Sequence, residues 1–179
     1  MIRVAIADDH LLLLEGLRQA LAAIPDIQVV ATARDGEELV WAATHHHPDV
    51  LVVDLDMPKL DGLAALGRIG KAPPALVVTM HTDDEHRRRA REAGAVGFLS
   101  KATPLSDLAA AIRAARAGAD LMDPESLGEA LLTHREPVLD EGAAALTARE
   151  RELLALLATG VSTTEELADR LFISQKTVK

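Results

Sequence analysis

Val50-Leu51-Val52-Val53-Asp54-Leu55-Asp56-Met57-Pro58 is the stretch on which the fold turns. Four apolar residues, three of them β-branched, read as a strand buried on both faces, and the acidic pair and the proline that follow mark its end. Strands buried on both faces are typical of parallel sheets, where helices cover each side. Working outward, similar short runs stand at Val4 to Ala7, Val29 to Ala33, Leu76 to Thr79 and Gly97 to Leu99. Amphipathic stretches of helical length separate and follow them: Leu11 to Ala23, Glu37 to His45, Leu63 to Ile69, Asp84 to Ala93 and Leu105 to Ala117. This alternation predicts an α/β fold built on a doubly wound parallel sheet.

After Gly118 the alternation stops. Pro124 to Thr133 reads as one more helix, followed by the polar Arg135-Glu136-Pro137 and a Gly/Ala-rich stretch to Ala145. From Leu146 the pattern is only helical. Thr147 with Glu150 forms a capping box, Gly160 ends that helix, Ser162 or Thr163 with Glu165 or Glu166 caps the next, and Ser174 caps a third that meets the chain end at Lys179. Three segments result: 1–118 as an α/β domain, 119–145 as a helical connector and linker, and 146–179 as a small all-α domain.

The net charge of −9 is unevenly spread: 13 basic against 16 acidic residues in 1–118, 1 against 7 in 119–145, and 5 against 5 in 146–179. The acidity therefore sits mainly in the connector, and the neutral last segment promises little non-specific attraction to phosphates. The absence of cysteine excludes disulfides, thiolate metal sites and a cysteine nucleophile, and fits a reducing compartment. No apolar run approaches the length of a membrane span, and Met1 to Ala7 is too short for a signal-peptide core, so a cytoplasmic protein without a membrane partner is expected.

Open α/β sheets bind ligands beyond the carboxyl ends of their strands. Asp8 and Asp9 end the first strand and Asp54 the third, and in a flavodoxin-like sheet of order 2-1-3-4-5 those strands are neighbours. Three carboxylates then share one crevice and repel one another unless a cation is present. All-oxygen ligation, with no His or Cys at these positions, favours Mg²⁺. An aspartate beside that ion can attack a phosphoryl group and become an aspartyl phosphate, and Asp54 has that position. Thr79, ending the fourth strand, can donate its hydroxyl, and Lys101, just past the fifth, can meet the phosphate as a point charge.

Ala7-Asp8-Asp9-His10 with Glu15-Gly16-Leu17, then Asp54-Leu55-Asp56-Met57-Pro58-Lys59-Leu60-Asp61-Gly62, then Gly94-Ala95-Val96-Gly97-Phe98-Leu99-Ser100-Lys101 resemble the receiver of NarL/FixJ-type two-component response regulators over about residues 1–117. The resemblance implies that Asp54 accepts phosphate from a sensor histidine kinase and that Asp8, Asp9, Asp54 and the backbone carbonyl of Asp56 hold Mg²⁺. It also implies that Thr79 and Phe98 form a switch pair, with dimerisation on activation. Where the family often has Pro after the active-site Lys, this chain has Ala102. Leu146 to Glu152 and Leu171 to Lys179 resemble the LuxR-type helix-turn-helix, here a partial one. That likeness implies promoter DNA as a partner, with Lys176 and Thr177 at phosphates and Lys179 at a base edge.

Asp54-Leu55-Asp56 is also similar to the paired aspartates of haloacid-dehalogenase-type phosphatases. Those enzymes carry the pair on the first strand, whereas here it ends the third and Met57-Pro58 follows. His45-His46-His47 reads as a solvated turn, Arg87, Arg88, Arg89 and Arg91 as a solvated helix face able to pair with Asp83, Asp84, Glu85 and Glu92, and Trp41 as a core residue.

Overall fold

The computed structural model describes residues 1–70 and 73–134. Five parallel strands, β1 (Ile2–Ala7), β2 (Ile27–Ala33), β3 (Val50–Val53), β4 (Ala75–Thr79) and β5 (Gly97–Ser100), form one sheet in the order β2-β1-β3-β4-β5. Helices α1 (Leu11–Ala22), α2 (Gly36–His46), α3 (Gly62–Ile69), α4 (Asp84–Glu92) and α5 (Leu105–Arg116) follow the strands in turn, and α6 (Pro124–His134) comes last. The flavodoxin-like arrangement expected from the alternation is the observed one. Boundaries differ by a residue or two, mostly where Ile2, Ile27 and Ala75 extend strands whose first residues carry little pattern.

Alternation along the strands sorts the core into two layers. Val4, Ile6, Val50, Val52 and Leu76 face one side, where they pack with Leu14 and Leu21 of α1 and Leu108 and Ile112 of α5. Ala5, Ala7, Leu51, Val53 and Val77 face the other, against Leu39 of α2, Ala65 and Leu66 of α3 and Ala90 of α4. β1 is the hinge of the crossover order. Its register with β3 (Ala7↔Val53) and with β2 (Ala7↔Ala33) sets the ends of three strands level, so the residues that follow them emerge at one edge.

The packed core runs past the fifth helix. Leu121 and Met122 are buried, Leu121 N donates to Val96 O at 2.6 Å, and Leu127 and Leu131 of α6 pack onto the α5 layer. A side chain at Gly97 would press on the end of the Leu76 side chain and crowd Leu121, so glycine eases the close approach of this bridge beside β5. Arg113 of α5 reaches the loop before β2, where Nε and Nη2 of its guanidinium hold the two oxygens of Asp26 at 2.7 Å each. That geometry lowers the Asp26 pKa, the Arg113 bonds outweighing its partial burial. All of these elements belong to one compact unit, Met1–Glu136, and a second unit begins at Pro137.

On α2 neither Trp41 nor the histidine run stands where the sequence suggests, since Trp41 is not in the core and two of the three histidines are helical rather than in a turn. Trp41 is 55% exposed rather than buried. Leu39, Ala42 and Ala43 set the stripe of α2 that meets the core, and position 41 lies off it. Its indole instead stacks on His45, one turn on, with centroids 4.3 Å apart. His45 and His46 belong to the last turn of α2, and His47 ends the helix in the left-handed conformation (φ 46°), its carbonyl accepting from Arg3.

Candidate functional site at the strand ends

Each crevice residue is positioned by the ladder. Asp8 N donates to Ala33 O of β2 at 3.1 Å, Asp54 N to Ala7 O of β1 at 2.9 Å, and Lys101 N to Thr79 O of β4 at 2.9 Å. Neighbouring strands thus hand their next residues to a common point. Beneath it, Gly62 N donates to Leu55 O at 3.0 Å, and a Cβ at position 62 would collide with the Asp54 carbonyl. Glycine at the start of α3 is therefore what lets the helix close under the loop that carries Asp54.

Asp8 and Asp54 are buried, 5% and 3% exposed, and between them lies the ammonium group of Lys101. Its Nζ stands 2.8 Å from Asp8 Oδ2 and 2.7 Å from Asp54 Oδ2, while Asp54 Oδ1 accepts the Leu55 N–H at 2.8 Å. Burial pushes the Asp54 carboxyl above its ordinary range, a pull that the Lys101 bond opposes without cancelling and that the charge of Asp8 reinforces. Burial alone would lower the Lys101 ammonium, but its bonds to Asp54 and Asp8 prevail and raise it. A cleft of about 270 Å³ between α1 and α5 opens onto these groups, its walls including Leu12, Leu13 and Leu105.

Asp9 joins the cluster at its exposed side. One ligand atom each from Asp8, Asp9, His10 and Asp54 lies within 4.8 Å of the others. The sequence reading places no histidine here, yet His10 Nδ1 is 3.2 Å from Asp8 Oδ1 and 2.8 Å from Asp9 Oδ1, and its backbone N–H donates to Asp8. Its position directly after an Asp-Asp pair is the one signal the sequence offers. Buried aspartates offset by a single ammonium are short of positive charge, and three carboxylates suit a hard dication, so the donor set fits Mg²⁺.

The other expected residues occupy distinct places. Thr79 is fully buried at the end of β4, its Oγ1 accepting the His81 N–H at 3.2 Å. Phe98 is buried on β5 with the Arg87 guanidinium 5.6 Å above its ring, within cation–π range. The Asp56 side chain is exposed and turned to His81, with Oδ2 2.9 Å from Nε2, a contact the sequence does not disclose. Ala102 N donates to Ser100 Oγ at 3.1 Å, a bond that the proline common in the family has no hydrogen to make. On α4, Arg88 pairs with Glu85 and Glu92 and Arg87 with Asp84, the solvated ion-pair face expected there. Lys176, Thr177 and Lys179 lie outside the described residues, as do the capping residues read from Thr147 onward.

A sheet of this order with buried aspartates and a lysine at its carboxyl edge defines a receiver-type α/β module. The response regulator receiver domain model matches residues 4–113, and the model of bacterial regulatory proteins of the luxR family matches residues 144–179. Transcriptional regulatory protein LiaR of Bacillus subtilis (strain 168) is 40% identical over 185 residues, covering 100% of this chain and 86% of that protein. The crystal structure of response regulator ChrA of a heme-sensing two-component system superposes with a TM-score of 0.59 at 37% identity, covering 99% of this chain and 84% of that one. A chain of the CheX–CheY–BeF3–Mg²⁺ complex from Borrelia burgdorferi matches with a TM-score of 0.56 at 25% identity over 60% of this chain and 83% of that one.

The chain belongs to the NarL/FixJ-type response regulators, with a receiver domain and a LuxR-type DNA-binding domain that together make a transcription regulator. No helix among the described residues is long and apolar enough to cross a membrane.

Proposed function

We propose that Asp54 is the phosphoacceptor of this regulator and that a phosphohistidine on a sensor kinase is the donor. One Asp54 oxygen attacks phosphorus, the P–N bond breaks with its electron pair leaving on the imidazole nitrogen, and an acyl phosphate forms; water later attacks it and releases inorganic phosphate. The observation that carries the reading is the bridging of Asp8 and Asp54 by Lys101 at 2.8 and 2.7 Å in a buried pocket at the strand ends. An ammonium held beside the attacking carboxylate lies within a short shift of the oxygens of an incoming phosphoryl group, whose charge it can take over from Asp54.

Asp8, Asp9, Asp54 and the Asp56 carbonyl would hold Mg²⁺, which supplies charge neutralisation for the transferred oxygens; the presence of Mg²⁺ and BeF3 in the CheX–CheY complex supports this assignment. Thr79 then offers its hydroxyl to the phosphate and Phe98 fills the space behind it, the pair biasing the surface around α4 and β5. In this account residues 1–118 receive the signal, 119–145 connect, and 146–179 act on promoter DNA through Lys176, Thr177 and Lys179, with a homodimer formed on phosphorylation. The protein works in the cytoplasm, and its chemistry is limited to taking up and losing its own phosphoryl group.

Incubation with acetyl phosphate and Mg²⁺ followed by intact mass measurement tests the assignment. One phosphoryl adduct on the parent chain and none on Asp54→Ala is expected. An adduct that survives Asp54→Ala would move the acceptor elsewhere.

A further inference from the structure

Among the described residues, one other group gathers metal-ligating atoms: His81, Asp83 and His86, whose ligand atoms lie within 4.8 Å of one another. Three features hold the group in place. The His81 N–H is anchored on Thr79 Oγ1. Asp83 is the N-cap of α4, its Oδ1 accepting the His86 N–H at 3.1 Å. The imidazoles of His81 and His86 lie 13° from parallel with centroids 4.7 Å apart, so two nitrogen ligands are already side by side. Around them, Asp83 Oδ2 is 2.7 Å from His86 Nδ1 and Asp56 Oδ2 is 2.9 Å from His81 Nε2.

We propose that His81, Asp83 and His86, with Asp56 as fourth ligand, form a binding site for a first-row transition-metal dication of the zinc type, separate from the Mg²⁺ crevice. The chemistry of the donors makes the distinction. Two imidazoles with two carboxylates suit the borderline ions Zn²⁺, Co²⁺ and Ni²⁺, whereas Mg²⁺ favours oxygen alone. The charges also balance, since two carboxylates neutralise a dication bound by neutral imidazoles. Solvent exposure of His81 and Asp56 gives the ion an entry path, and binding at bond lengths of about 2.0–2.2 Å requires the side chains to turn and close in from their present separations. The ligands come from the loop after β3, the loop after β4 and the first turn of α4, so a bound ion ties the loop that follows Asp54 to the segment that follows Thr79.

The test is calorimetric titration of the full chain with ZnCl₂ in excess Mg²⁺, repeated on His81→Gln, His86→Gln, Asp56→Asn and, as a control on the other histidine cluster, His45→Gln. One Zn²⁺ per chain is expected. Affinity should fall at least about tenfold in His81→Gln, His86→Gln and Asp56→Asn, the scale that loss of even outer-shell groups reaches, and stay unchanged in His45→Gln. Co²⁺ should give visible absorption bands that vanish in the two variants of His81 and His86. Absence of Zn²⁺ binding, equal affinity in the parent and both of those histidine variants, or loss in His45→Gln instead would overturn the proposal.

Discussion

Two aspartate–lysine pairs sit at the carboxyl edge of the same sheet, with nearly the same separation and pKa shifts of opposite sign. Asp54 meets Lys101 at 2.7 Å, and Asp35 meets Lys59 at 2.6 Å. Both carboxylates are buried, 3% and 2% exposed. The Asp54 pKa is nevertheless raised and that of Asp35 lowered. Burial is the largest influence on Asp54, and the charge of Asp8 adds to it. Asp35 is governed by its Lys59 bond and by the Glu38 N–H, which it accepts at 2.9 Å as the N-cap of α2. The distance between the partners therefore does not define the role. A carboxylate whose burial outweighs a lysine it shares with another carboxylate is left short of positive charge and ready for a cation or a phosphoryl group, whereas one whose lysine and helix N–H bonds outweigh its burial is satisfied and serves as a clasp.

The clasp has a structural purpose. Lys59 takes a left-handed backbone (φ 62°) in the loop after β3, and Gly36 N donates to Leu60 O at 2.9 Å. Together with the Lys59 ammonium on Asp35, this fastens the loop that follows Asp54 to the first turn of α2. A side chain at Gly36 would strike the Leu60 carbonyl, so the approach requires glycine.

The largest difference between the pairs should appear in chemistry. Asp54→Ala is expected to abolish phosphoryl uptake from acetyl phosphate by intact mass, while Asp35→Asn retains it. Next comes the lysine exchange. Lys101→Met should slow uptake roughly 10²-fold, the scale for removing one preorganised donor, and should cost about 3–5 kcal/mol in urea unfolding at neutral pH without Mg²⁺, because buried carboxylates lose their counter-charge. Lys59→Met, whose exposed ammonium is water-screened, should leave the uptake rate as it is.

Smaller effects sharpen the contrast. Asp35→Ala should destabilise by about 1 kcal/mol, the usual value of an N-cap, and Asp35→Asn, which can still cap, by less. The pH dependence has opposite signs at the two sites. Asp35, with its folded pKa depressed, contributes stability that is present above the ordinary carboxylate value of about 3.9 and lost as pH falls through the folded value. Asp54, with its folded pKa raised, favours the fold only while protonated, and that contribution is lost as pH rises through its folded value. Asp54→Asn should therefore be slightly more stable than the parent at pH 7 in urea unfolding, and the gap should close on acidification; a gap that widens in acid would reverse the assignment.

The legible parts of this molecule are those with a repeating signal. Val50–Val53 is apolar throughout because both its faces are covered, and the strand runs between the same two residues that the pattern marks. Asp8, Asp54 and Lys101 are readable because a parallel sheet delivers successive strand ends to one edge, so positions far apart in sequence become neighbours by topology. What escapes depends on single long-range contacts. Nothing local to Asp35 announces Lys59, and nothing at Asp56 announces His81. Trp41 misleads because its size suggests burial, while the phase of α2 is set by Leu39 and Ala42. Leu121 and Met122 stand beyond the last recognisable strand–helix repeat, and the bare backbone of Gly97 gives that segment room to pack beside β5.

Asp54 is a carboxylate held short of positive charge, while Asp35, at nearly the same distance from its own lysine, is satisfied. Carboxyl ¹³C chemical shifts followed through an acid titration of the metal-free protein read both groups directly. An Asp54 midpoint above the ordinary aspartate value and an Asp35 midpoint below it are expected. Coincident midpoints, or Asp54 titrating below Asp35, would contradict this.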